Sequence, residues 1–174
     1  HDVTVIVHDN GVYGLTTGQS APTAQKGFKS KSTPTGILET PINPLALTIT
    51  SGATFVAQSF AGDALHSIAM IKAGIEHKGF SVVNILQPCV TFNKINTYQY
   101  YLKNVYKLDK DYKKDDFKLA VQKSLEMNEE KFPLGIIYQI EKPSYTDQLP
   151  QLKESTLVDK KRFTDFDKIE KLFI

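Results

Sequence analysis

Three short runs rich in β-branched and apolar residues, "VTVIV" (3–7), "ATFVAQSF" (53–60) and "FSVVNIL" (80–86), are separated by stretches with helical spacing. Strand, helix, strand, helix, strand implies crossover connections between parallel strands. The chain is therefore predicted to be α/β, an open and mainly parallel sheet flanked by helices. The first run, bounded by Asp9–Gly11, and the third both read as buried strands. Between the first two, Asn43 and Pro44 form an N-cap and first-turn signal for a helix through about Ser51. Asp63 can cap the next helix, whose expected apolar face is Leu65, Ile68, Ala69, Ile71 and Ile75, with Gly79 as its stop.

After Asn93 the texture changes. Residues 1–93 carry five lysines and five acids, whereas residues 94–174 carry 16 basic and 14 acidic residues. So few charges in the first part predict burial against its own layers or against partner chains. The second part reads as a solvated, mixed-charge exterior. Helices are predicted over 97–108 and 115–130, a strand over 134–140, and a tail over 142–174 with a short amphipathic helix near 165–173. A length of 174 residues fits one domain. The single cysteine excludes an internal disulfide framework. No apolar run approaches the roughly 18 residues of a membrane span. Without a signal-peptide pattern, the cytoplasm is the expected compartment. No basic stripe with interleaved aromatics points to nucleic acid. The sequence opens inside a strand and without Met. A parallel strand there calls for earlier neighbours, so the sheet is expected to be incomplete at its N-terminal side, as the latter part of a longer polypeptide.

Ligands of open α/β sheets bind beyond the carboxyl ends of the strands. Asn10 and Cys89 both follow such ends and are expected on one rim. In "DNGVYGLTTGQ" (9–19), Asn10 offers a side-chain carbonyl oxygen, and the Val12 backbone carbonyl can point the same way. Mg²⁺ takes such hard oxygens and commonly shares them with phosphates. Gly11, Gly14 and Gly18 allow close backbone approach, while Thr16 and Thr17 supply hydroxyls. A Gly-rich turn in which Asn10 makes only local hydrogen bonds is the competing reading.

At these residues the sequence resembles the thiamine diphosphate-binding β subunit of 2-oxoacid:ferredoxin oxidoreductases. The resemblance runs from residue 1 to about Tyr106. It covers "DNGVYGLTTGQ", "KSTPTG" (31–36), "NPLALTITSGATFVAQ" (43–58), "IEHKGFSVVNILQPCVTFN" (75–93) and "NTYQYY" (96–101). It implies a thiamine diphosphate-binding domain whose latter part is residues 1–106. Residues 107–174 would be a helical and strand extension packed on it. By the same resemblance, Asn10 and the Val12 carbonyl would ligate Mg²⁺. Gly14, Thr16 and neighbouring amides would hold the diphosphate, and Leu15 would sit beside the thiazolium ring. Leu15 and Thr17 would lie near the 2-oxoacid. Relatives often carry Lys or Gly at the position of Thr17, so substrate preference does not transfer across it. Cys89, in "QPCVTFN", would be one of four cysteines around a [4Fe–4S] cluster.

The implied activity is coenzyme A-dependent oxidative decarboxylation of a 2-oxoacid to acyl-CoA and CO₂, with electrons passing through [4Fe–4S] to ferredoxin. It is exercised in a hetero-oligomer with an α subunit, which supplies the glutamate that activates the cofactor. The family's Gly-Asp-Gly segment and its earlier cysteines are absent from this sequence. Two other readings compete: a cluster-free thiamine-dependent decarboxylase or synthase, and a non-catalytic assembly fragment. Lys26, Lys29 and Lys31 flank a long loop and read first as solvated, second as an attraction for phosphates or acidic partners. His66 and His77 read as surface histidines, and His8 as a residue facing the pocket. Tyr98, Tyr100 and Tyr101 read as core or interface packing.

Overall fold

The computed structural model describes residues 1–160 and 165–173. The part of the predicted tail at 161–164, and residue 174, lie outside the described residues. A five-stranded sheet organises the chain, built from β1 (Val3–Asp9), β4 (Phe55–Phe60), β5 (Phe80–Leu86), β6 (Val105–Lys107) and β7 (Phe132–Gln139) in the order β1-β5-β4-β7-β6. The pairs β1–β5, β5–β4 and β6–β7 are parallel; the pairing of β7 with β4 is antiparallel, so β7 and β6 run opposite to the other three strands. A two-stranded ribbon of β2 (Val12–Tyr13) and β3 (Gln19–Ser20) stands beyond the end of β1. The helices are α1 (Pro44–Thr50), α2 (Ala64–Glu76), α3 (Tyr98–Asn104), α4 (Phe117–Leu125) and α5 (Phe166–Glu170). None is long and apolar enough to cross a membrane among the described residues.

Local chemistry starts the helices where the sequence marks them. Asn43, Asp63 and Asp116 each accept the backbone N–H three residues on at 3.0 Å, and Thr97 does so at 3.2 Å. Each cap stabilises its helix by about 1 kcal/mol. The predicted helix over 97–108 is shorter than expected: it stops at Asn104, and Val105–Lys107 pairs with Phe132–Leu134 instead. Two β-branched or aromatic residues beside an available strand outweigh the helical pattern.

One face of the sheet packs Phe55, Ala57, Val83 and Ile85 under Met70, Ile71 and Ala73 of α2. On the other, Val56 meets Leu45 and Ile49 of α1, Ala120 of α4, and Ile137 and Tyr138 of β7. Phe60, Leu86, Tyr101, Phe132 and Leu134 close the core toward the strand ends. Strands β4 and β5 are buried on both faces, including their polar residues Gln58, Ser59, Ser81 and Asn84.

Two expectations about burial are overturned. The run at 3–7 is not a buried strand in this structure: among the described residues β1 lies at the sheet's edge, and Val3, Val5 and Ile6 are 45%, 40% and 39% exposed. Leu65, Ile68 and Ile75 of α2 are exposed as well, and its inward face carries Ser67 and Gly74. Close approach selects those small residues. The Gly74 carbonyl accepts from Thr4 Oγ1 at 2.9 Å, and a Cβ on Gly74 would stand 3.0 Å from Val83. Nor are the two histidines superficial. His77 is buried with Nε2 2.8 Å from Thr54 Oγ1, and His66 is half-buried with Nδ1 2.7 Å from Ser59 Oγ. Burial pushes both imidazoles below their usual pKa.

Candidate functional site

The carboxyl ends of β1 and β5 form one rim. Gln87, the residue after β5, donates its N–H to the Asp9 carbonyl at 2.9 Å, and its side-chain oxygen lies 2.9 Å from His8 Nδ1. From this edge two turns rise side by side, one carrying Asn10 and the other Cys89.

In the first turn the Asn10 side-chain oxygen accepts from the Val12 N–H at 3.0 Å, and Gly11 adopts φ +68°. This is an Asx turn, the local hydrogen bonding that the chemistry of Asn favours. The ribbon β2–β3 then encloses Gly14–Gly18, closed by Thr17 N–H to the Gly14 carbonyl and Gly18 N–H to the Tyr13 carbonyl. Thr17 lies at φ +72°, a strained position for a β-branched residue. Leu15 is fully exposed at the tip, and Thr16 beside it bonds Gln19. Val12 anchors the ribbon by packing with Ala24 and Phe28, and Cys89 is half-buried against the same cluster. The six predicted residues Asn10, Val12, Gly14, Leu15, Thr16 and Thr17 thus occupy one ribbon, with Cys89 at its base.

After Cys89 the chain turns back, the Asn93 N–H donating to the Cys89 carbonyl at 3.1 Å, and the backbone N–H groups of Phe92, Thr91 and Asn93 favour the thiolate. Burial pushes the thiol up, but these three amides, with Lys94, outweigh it and hold the thiol below its ordinary value. Such a nest suits a thiolate that ligates a metal. A cubane cluster needs more sulfur than one cysteine provides, so this chain alone does not fit a complete [4Fe–4S] site. Among the described residues no group of three His, Cys, Asp or Glu could hold a metal ion. For a divalent cation the chain offers neutral oxygens, Asn10 Oδ1 and the Val12 carbonyl. These fit part of a coordination shell that phosphate oxygens share.

Behind the rim lies a cavity of about 300 Å³ lined by Asp9, Thr23, Lys26, Asn43, Asn96 and Glu130. Burial raises the pKa of Asp9, although Thr23 Oγ1 (2.5 Å) and the Gly11 N–H (3.3 Å) donate to its carboxylate. Gln25 bonds the Tyr100 hydroxyl at 2.7 Å, and burial followed by Glu130 pushes that phenol up to about 12. Of the three loop lysines only Lys26 reaches this cavity, and His8 is exposed at the rim. Tyr101 is buried against Phe60 and Phe132, as core packing predicts.

Sequence reasoning misses Asn93, which is buried to 1% and joins the two turns. Its place at the end of "QPCVTFN" is the signal that could have found it. Asp9, which ties the first turn to the long loop, reads in the sequence only as a strand terminator.

The model of the thiamine pyrophosphate enzyme C-terminal TPP binding domain matches residues 1–85. A second model, describing the C-terminal part of the pyruvate ferredoxin oxidoreductase beta subunit, matches residues 89–154. The 2-oxoacid:ferredoxin oxidoreductase subunit β of Saccharolobus solfataricus is 45% identical over 86% of this chain and 56% of its own length. A subunit of the same description from Aeropyrum pernix is 40% identical over 91% of this chain and 53% of its own. A solved 2-oxoglutarate:ferredoxin oxidoreductase from Magnetococcus marinus, with 2-oxoglutarate, coenzyme A and succinyl-CoA bound, is 37% identical. It superposes with a TM-score of 0.86 over 97% of this chain and 57% of that one. The chain therefore spans about half the length of the curated relatives it matches. With matched models over most of its residues and these relatives beside them, the chain belongs to the 2-oxoacid:ferredoxin oxidoreductase β-subunit family.

Proposed function

We propose that this chain is the cofactor-bearing part of an enzyme that decarboxylates a 2-oxoacid oxidatively, forming acyl-CoA and CO₂ with ferredoxin as electron acceptor. The observation that carries this reading is the meeting of the Asn10 ribbon and the Cys89 nest at one rim. Residues 1–106 are read as the latter part of the thiamine diphosphate-binding domain, and residues 107–174 as an extension packed on it. An α subunit is the expected partner.

Asn10 and the Val12 carbonyl would hold Mg²⁺. Gly14, Thr16 and the amides of the ribbon would hold the diphosphate. When bound, thiamine diphosphate supplies the carbanion and electron sink that let a 2-oxoacid lose CO₂. The exposed Leu15 would shield that chemistry from water, with Thr17 facing the substrate. The amides around Cys89 favour a thiolate there, one ligand of a [4Fe–4S] cluster completed by cysteines outside this stretch.

The test is made on the native assembly that contains this chain, assayed for thiamine, iron and 2-oxoacid- and CoA-dependent reduction of ferredoxin. All three are expected, and Cys89→Ser should lose iron while thiamine diphosphate stays bound. An assembly without thiamine diphosphate overturns the reading. One that holds thiamine diphosphate but no iron would instead favour the cluster-free decarboxylase or synthase.

A further inference from the structure

The turn that carries Cys89 is closed by Asn93. Its N–H donates to the Cys89 carbonyl at 3.1 Å, and its side-chain oxygen accepts from the amides of Ile95 and Asn96, both at 3.0 Å. Those bonds satisfy the turn. They also fix which end of the amide is oxygen, since only an acceptor can face two N–H groups.

Its Nδ2 therefore points outward from the turn. It donates to the Asn10 backbone carbonyl at 3.0 Å, across 83 positions of sequence, and to Asn96 Oδ1 at 3.0 Å. The Asn10 carbonyl and the Gly11 N–H belong to one peptide group, and that N–H donates to Asp9 Oδ1 at 3.3 Å. The peptide plane is thus held from both sides, by Asn93 at its oxygen and Asp9 at its nitrogen. Gly11 leaves room for this. A Cβ there would stand 3.1 Å from Asn93 Nδ2, at a backbone φ of +68° that disfavours any side chain.

One buried residue therefore sets both the peptide that presents Asn10 and the turn that follows Cys89. We infer that Asn93 is a positioning residue coupling the two turns, so that occupancy of the Asn10 ribbon is felt at the Cys89 nest. The inference rests on the function proposed above. It predicts that a shift of the Asn10–Gly11 peptide on cofactor binding pulls directly on the Cys89 turn. A buried amide that loses its acceptor carries the full cost of being unpaired, which makes the link stiff.

Asn93→Asp is the informative substitution, because it keeps an acceptor for the amides of Ile95 and Asn96 while removing the donor to Asn10. In the native assembly, Mg²⁺–thiamine diphosphate binding is measured by calorimetry, and amide exchange of residues 89–93 is followed with and without the cofactor. In the unaltered protein the cofactor should slow exchange across 91–93. Asn93→Asp should bind about tenfold more weakly and lose that protection, with exchange in β4 unchanged. Asn93→Ala, which adds no charge, should do the same and serves if the aspartate variant fails to fold. Binding within twofold of the unaltered protein, with protection retained, overturns the inference alone. Absence of cofactor binding by the unaltered protein overturns the proposed function and the inference with it.

Discussion

Gly18 lies against the ring of Phe92, so closely that a Cβ on the glycine would stand 2.8 Å from Phe92 Cδ1 and 2.9 Å from its Cβ. This is where the tip of the Asn10 ribbon touches the Cys89 turn. Gly18 also has φ +99°, in the left-handed range. Gly18→Ala is therefore expected to cost about 2 kcal/mol, from backbone strain and displacement of Phe92. Urea unfolding measures the loss. An unchanged midpoint would show that Phe92 swings away freely.

His77 makes the fold sensitive to acid. Burial lowers its pKa from the ordinary 6.5, against the opposing pull of Asp2 and Glu141. A depressed folded pKa gives stability that is fully present above 6.5 and lost as pH falls through the folded value. The melting temperature should drop on acidification below about pH 6.5. His77→Gln should flatten part of that slope, the remainder including His66, whose shift has the same sign. An equal slope in the variant would show that His77 does not contribute.

The Cys89 nest predicts reactivity. In protein freed of iron, the pH midpoint of alkylation at Cys89 should lie below the thiol's ordinary 9.0, because the amides outweigh burial. A midpoint above that value would mean that burial dominates.

A buried polar chain crosses the middle of the sheet. Asn84 Nδ2 donates to Gln58 Oε1 at 2.9 Å, and Gln58 Nε2 donates to the Pro133 carbonyl at 3.0 Å. Gln58→Leu strands both partners in the core and should cost about 2–4 kcal/mol in denaturant unfolding. Adding Asn84→Leu should recover a substantial part, since both side-chain partners are then apolar.

The elements that local chemistry specifies were legible in the sequence. Asn43 and Asp63 start helices because a short side chain can reach its own backbone. The parallel order of β1, β4 and β5 followed from the helices between them, and with it the convergence of Asn10 and Cys89. What depends on distant partners was hidden. Ile68 of α2 looks like a core residue until Gly74 is seen to meet Thr4 and Val83. Val105 reads as helix until Phe132 lies beside it. Asn93 reads as an ordinary turn residue, because its decisive bond reaches Asn10 across most of the intervening chain.

The pairing of β1 with β5 also orders events in time. Its register, Val3 against Phe80 through Asp9 against Leu86, closes a loop of more than seventy residues, whereas β4, α2 and β5 form from neighbouring sequence. Loop closure of that length delays pairing until its partner strand exists. During synthesis β1 must wait for β5, so the rim that joins Asn10 to Cys89 assembles only after β4, α2 and β5. Nascent chains halted before residue 80 would carry the Asn10 ribbon without the Cys89 turn it meets in the folded chain.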